Sequence, residues 1–382
     1  MIHFMPQQSP SEKRIPSLDG LRAVSIGLVL VSHLFGTQNF FGRNAIPFVG
    51  NLGKLGVHCF FIISGYLISR LLLEELESSG RISLRRFYLR RTLRIFPAFY
   101  TYVAIIALLN ILGLFHIASG EFLRACTYTL NYQQWGPESS WELGHVWSLC
   151  VEEQFYLIWP LLLVILGRKK ALASMLFVVL IVPLIRYGTW RYFPSHYSQT
   201  KYEFQGVCDA LATGCLLAGL QPWLDRKIEV SKLLQSPLVF LCPLIALVVS
   251  AHSVGKPRFT SLIGLSVTHL TLALYLYRAI RFPHKGECRL LNTKPLVFIG
   301  VLSYSLYLWQ EPLTNRFSKS LLCAFPVNVS LAFCAALASY VLVERPALAF
   351  RKKLERRFFP HAAKEAQVLT AVSDACLTIN NP

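Results

Sequence analysis

Charged residues are scarce in this chain: 15% of its 382 positions against 54% hydrophobic ones. A soluble globular chain carries about 25% charged residues, so a water-surrounded fold is excluded at the outset. Paired cysteines are also missing. The ten cysteines stand singly, with no C-x-x-C, which argues against a disulfide framework or a thiolate metal site and leaves them as small apolar helix residues. Residues 1–18 are polar and no small-residue cleavage site follows the first apolar run. The first helix is therefore expected to stay as an anchor rather than leave as a signal peptide. No internal repeat or low-complexity tract is visible.

What the chain has in quantity is long, continuous apolar runs. A run of about 18 residues or more can cross a bilayer core, and in lipid only helices and closed barrels satisfy the backbone. The runs do not alternate, so the expected fold is all-α, a polytopic integral membrane protein of about ten transmembrane helices. The expected spans are 21–40, 52–73, 96–115, 146–166, 171–187, 207–223, 236–252, 261–280, 296–314 and 324–343. Residues 1–346 form the expected membrane domain, and 347–382 a basic amphipathic segment with a loosely ordered tail.

The net charge of +18 would point to nucleic acid in a soluble protein. Here it is read by position. With the N-terminus in the cytoplasm and spans alternating, 28 of the 38 Lys and Arg fall inside, as the positive-inside rule requires. Both termini are thus expected to be cytoplasmic, with the lipid bilayer as a partner and no nucleic acid. The segment 70–94, with seven arginines, is too charged to span. It resembles an amphipathic helix pair at the inner surface, suited to lipid headgroups or to a polyanionic ligand.

Several polar residues lie inside apolar runs, where ionisable groups are costly and are functional candidates by default. Arg22 and His33 are eleven residues apart, close to three helical turns, so they share a face about 16 Å apart along the axis. Arg91 and Arg94, three apart on one face, offer two guanidinium forks suited to phosphate. Glu152 and Glu153 sit early in the fourth span. They either pair with an arginine or orient a catalytic histidine, whose tautomer needs a second group to fix it. His58 lies near the outer end of the second span. Asp209, Ser303, Tyr304, Gln310 and Glu311 read more readily as structural. Gly56, Gly65, Ser64 and Ser69 allow close helix packing. The outer loops hold Trp135, Trp141, Trp190, Tyr192 and Tyr197, which suit sugar stacking or an interfacial belt.

Five blocks in order then carry a resemblance. They include IPSLDGLRAVSIGLVLVSH, GVHCFFIISGYLI, FYLRRTLRIFPAF, HVWSLCVEEQFYLIWPLLL and IGVLSYSLYLWQEPL, followed by VLVERP. From Ile15 to about Pro346 the chain resembles acyltransferase family 3, the membrane O-acyltransferases of bacterial glycans and some secondary metabolites. It departs from the family at Gln310, where histidine is usual, and at GVCD before Asp209, where an arginine is usual. It resembles the stand-alone form, with no hydrolase-like domain after the last helix.

The resemblance implies an acyl-CoA donor, usually acetyl-CoA, from the cytoplasm, with no bound cofactor or metal. It implies a sugar hydroxyl as acceptor, in a cell-envelope glycan, a lipid-linked precursor or a glycosylated metabolite, and a place in the bacterial inner membrane. The catalytic set expected is His33 with Glu152 or Glu153, with Arg22, Arg91 and Arg94 holding the donor. A substrate path would run past Asp19, His58, His145, Trp147, Ser148, Ser303 and Tyr304. The competing expectation is a transporter or flippase of an anionic or lipid-linked sugar, which would use the same mid-membrane polar groups without acyl transfer.

Overall fold

The computed structural model describes residues 16–40, 46–118, 120–136 and 139–359. Among them the secondary structure is entirely helical. Helix α1 (Pro16–Leu34) is followed by α2 (Ile46–Ser79) and α3 (Leu84–Ile111). Then come α4 (Val146–Tyr192), α5 (Phe204–Leu224), α6 (Cys242–His252) and α7 (Leu265–Arg281). The chain closes with α8 (Lys294–Leu313), α9 (Val327–Ser339) and α10 (Arg345–Phe358). Seven helical stretches are long and apolar enough to cross a membrane among the described residues. The protein is thus an integral membrane protein of several spans.

Two expectations need correcting. The segment 70–94 does not form a helix pair of its own. Its halves are the ends of α2 and α3, joined by a short turn in which Gly80 has φ 70°. Ser83 caps α3 by accepting the amide of Arg86, and the hydrophobic flanks of both helices are strong enough to carry the arginines as extensions. The expected spans 146–166 and 171–187 fall on the two limbs of α4, which meet at a break at Gly167 (φ 71°, ψ 166°), a conformation that only glycine adopts freely. The expected span 236–252 is divided into Pro237–Phe240 and α6, because Pro237 and Pro243 each fit a first turn and not a helix interior.

Glycines set the distances that matter for the site. A Cβ on Gly300 of α8 would fall 1.9 Å from the carbonyl oxygen of Asp19 in α1, and one on Gly65 of α2 would fall 2.0 Å from that of Leu211 in α5. Backbones can approach this closely only where side chains are absent. The contact at Gly300 lays α8 along α1, and its far end therefore arrives beside His33. Around this frame Tyr66, Phe99, Tyr102 and Trp159 are fully buried.

The bundle has two chemically distinct ends. One carries Arg22, the α2–α3 turn, Gly167 and α10. The other carries His33, the start of α4 and the end of α8. The salt bridge of Arg90 in α3 with Glu355 fastens α10 to the arginine-rich end.

Candidate active site

His33 lies in the last turn of α1. Its Nδ1 is 3.0 Å from Glu311 Oε2 and 2.9 Å from Gln310 Oε1, both at the end of α8. Gln310 Nε2 in turn donates to Glu311 Oε2 at 2.7 Å. The backbone oxygen of Glu311 accepts the indole N–H of Trp141 at 2.8 Å. A carboxylate only accepts, so His33 carries its proton on Nδ1 and leaves the lone pair on Nε2. The His33 side chain keeps 22% of its surface open while Glu311 keeps 6%. The result is an imidazole held in one tautomer by a buried carboxylate, with the other nitrogen reachable.

His145, just before α4, stands second to this pair. Its Nδ1 is 4.0 Å from Glu311 Oε2, and neither ring nitrogen has a hydrogen-bond partner among the described residues. Tyr307 Oη donates to the His145 carbonyl at 3.0 Å and lies 2.5 Å from Ser148 Oγ, which locks the entry of α4 against α8. Tyr102 packs edge-on against His145 at 5.5 Å between centroids.

Glu152 and Glu153 do not pair with His33, whose carboxylate partner is Glu311. Glu152 lies seven residues beyond His145, about 10 Å further along the helix axis. Its Oε1 accepts from Ser64 Oγ at 2.7 Å, and it interacts electrostatically with Arg22 and Arg91. Glu153 lies within the field of Glu152 and Arg91. Both glutamates therefore belong to the arginine-rich half.

There the sequence-predicted arginines do converge. Arg22 feels the charges of Arg94, Asp19 and Glu152. Arg91 lies 5.4 Å over the ring of Tyr156. Arg91 and Arg94 also line a pocket enclosing about 80 Å³, with Arg86, Arg90 and Arg351 and with Glu75 as the carboxylate on its wall. Arg86 and Arg351 were not singled out in the sequence. Arg351 comes from α10, far along the chain, and only the folded contact of α10 with α3 brings it in.

The remaining predicted positions scatter. Trp147 contacts Phe61 and Tyr202. Tyr304 Oη donates to the carbonyl of Ile95 at 3.0 Å, and Ser303 Oγ is buried without a hydrogen-bond partner among the described residues. Asp19 presents its backbone to Gly300. His58 pairs with His269, away from His33. The decisive residue missed is Glu311. An acidic residue in an apolar span is costly without a partner, which marks Glu311 as a group that needs one but does not say which.

An imidazole–carboxylate pair thus lies in one half of an all-helical membrane bundle and an arginine-lined pocket in the other. The family model described as an acyltransferase domain matches residues 15–345, and the chain belongs to that family, acyltransferase family 3. It is 30% identical over 366 residues to the peptidoglycan O-acetyltransferase OatA of Listeria monocytogenes serovar 1/2a, covering 89% of this chain and 55% of the relative. It is 27% identical over 386 residues to the O-acetyltransferase OatA of Staphylococcus aureus strain MRSA252, covering 95% of this chain and 61% of the relative. The chain thus spans little more than half the length of these relatives. No solved structure matches it.

Proposed function

We propose that the chain is a membrane O-acetyltransferase that moves an acetyl group from cytoplasmic acetyl-CoA to a hydroxyl of a cell-envelope glycan or its lipid-linked precursor. The observation that carries the reading is the His33–Glu311 pair, set on the same helix face as Arg22, eleven residues away. That spacing is about 16 Å of helix rise, comparable to the reach of an extended pantetheine arm. The donor's phosphates would then lie among Arg22, Arg91 and Arg94, with its thioester near His33.

In this mechanism His33 Nε2 takes the proton of the acceptor hydroxyl as the oxygen bonds to the thioester carbonyl carbon. The C–S bond breaks, and the proton passes from Nε2 to the departing thiolate. Glu311 stays ionised, holds the tautomer and stabilises the transient imidazolium. The sum is R–OH plus acyl thioester giving R–O-acyl plus thiol, with no net proton change.

In the same reading residues 1–346 form the catalytic membrane domain and both termini are cytoplasmic, with ten crossings. The break at Gly167 supports the count by dividing α4 into two limbs, and the 28 inward Lys and Arg support the orientation.

The test uses the full chain in detergent with labelled acetyl-CoA, following thiol release and label on sugar acceptors. Transfer that depends on His33 supports the reading. Sugar movement across proteoliposomes with no covalent transfer would replace it by the transporter reading.

A further inference from the structure

Arg86, Arg90 and Arg94 stand four residues apart on α3, so they follow one another along one side of that helix, each step about 6 Å of rise. Arg94 is the deep end of this row, where its charge reaches Arg22. Arg86 is the shallow end, in the first turn after the Ser83 cap. The two ends are about 12 Å apart along the axis. All three line the pocket of about 80 Å³.

Two other helices complete its wall. Glu75 comes from α2 and Arg351 from α10. Arg351 is 6% exposed, whereas Lys353, Arg356 and Arg357 of the same helix are exposed. Helix α10 thus turns one arginine inward and leaves its other cations out. One turn further on, Glu355 pairs with Arg90 and holds α10 in that position. Glu75 lies 4.0 Å from Arg86 and accepts the amide of Ser83 at 3.4 Å, which keeps it at the shallow end. Five guanidiniums and one carboxylate line the pocket, and Glu355 stands beside Arg90. Cations remain in excess among these residues even when each carboxylate is set against one arginine. Their convergence from α3 and α10 on one cavity, beside the buried Leu72 and Phe87, favours an anion, because like charges repel more strongly where the dielectric is lower.

The order of charges matches the order of groups in the donor. An acyl-CoA runs from its thioester through pantetheine to a diphosphate, and beyond that to a ribose carrying a 3′-phosphate monoester. The protein runs from His33 along about 16 Å of α1 to Arg22 and Arg94, and beyond them to Arg90, Arg86 and Arg351. A phosphate monoester carries close to two negative charges at neutral pH and three accepting oxygens. It can engage several guanidinium forks at once.

We propose that Arg86, Arg90 and Arg351 form a subsite for a phosphate monoester, occupied by the 3′-phosphate of the donor nucleotide. The inference rests on the reading of acetyl-CoA as donor, and it names the part of that donor which the shallow end of the pocket selects.

The test compares acetyl-CoA with acetyl-3′-dephospho-CoA. Equilibrium binding of each labelled donor is measured on the full chain in phosphatidylcholine nanodiscs, with no acyl transfer required. The wild type binds the dephospho donor about tenfold more weakly, which corresponds to about 1.4 kcal/mol of lost charge-assisted bonding. Arg351→Gln weakens acetyl-CoA about tenfold and changes the dephospho donor little, so the two affinities converge. A residue that only held the fold would weaken both donors alike. Arg351→Lys keeps the charge without the fork and recovers part of the preference. Arg86→Gln shows the same pattern as Arg351→Gln, and it decides if that variant does not fold. Equal affinity of the wild type for both donors, or an equal loss for both in the folded variants, overturns the proposal. If the donors bind equally while phosphatidic acid binds and is lost in Arg351→Gln, the pocket belongs to a lipid phosphate instead. Binding of neither donor by the folded wild type overturns this subsite together with the proposed donor. A preference for the 3′-phosphate in a chain that transfers no acetyl group would uphold the subsite and overturn the proposed reaction.

Discussion

Nδ1 of His33 and Oε2 of Glu311 lie 3.0 Å apart, although 278 residues separate them in the chain. The pair exists because α8 lies along α1, and α8 lies there because Gly300 admits the carbonyl of Asp19. A backbone contact near one end of the bundle thereby sets the tautomer of an imidazole near the other.

Removing the carboxylate should therefore cost turnover and leave folding intact. Glu311→Gln keeps the shape but can present an amide donor to Nδ1, which would move the His33 proton to Nε2. A fall in kcat on the order of 10²-fold is expected, within the usual range for general-base loss. Glu152→Gln should cost less in kcat, because Glu152 bonds Ser64 at the arginine-rich end. Steady-state kinetics on both variants checks the order, and a larger loss at Glu152 would contradict it.

Arginine substitutions should act on the donor. Arg91→Ala and Arg94→Ala remove guanidiniums from the lined pocket, so the KM for acetyl-CoA should rise about tenfold or more, with kcat changed less. Lysine at either position should recover only part, since it offers one point charge in place of a planar fork. Titration of initial rates against acetyl-CoA measures this.

Close packing makes a separate stability prediction. Gly65→Val would drive a side chain into the carbonyl of Leu211. Overpacking of this kind costs about 1–3 kcal/mol, and more where backbone must move. A lowered Tm in detergent and loss of the monodisperse peak are expected, whereas Gly188→Ala, with open space around its position, should behave as wild type.

Topology can be read with an impermeant thiol reagent on intact cells. Cys126 is exposed and lies on the loop that follows α3, so it should label from outside. In a Cys126→Ser background, Ser79→Cys at the α2–α3 turn should label only after lysis, and Ser253→Cys, just past α6, should label without it. Labelling of Ser79→Cys on intact cells would reverse the proposed orientation.

How far the sequence could be read follows from the range of each interaction. Arg22 with His33 and Arg91 with Arg94 are fixed by helical periodicity within one element, and the structure keeps each pair on its helix. Apolar run length likewise located most helices. The partner of His33 was out of reach, because choosing among Glu152, Glu153 and Glu311 needs the axial register of α4 and α8 against α1. That register is set by Gly300 and by the Tyr307–Ser148 contact, neither of which has a local signal. Arg186 of α4 is a similar case: it bonds Asp209 of α5 at 3.0 Å, a pairing between two helices that neither run length nor periodicity shows.

The most direct test of the central claim is acetyl transfer by purified protein, comparing the wild type with His33→Ala. Both are supplied with labelled acetyl-CoA and a sugar acceptor in detergent, after gel filtration has shown that both are folded. The account predicts label on the acceptor and thiol release from the wild type, and a loss of at least about 10²-fold in the variant. Full turnover by a folded His33→Ala protein would contradict it.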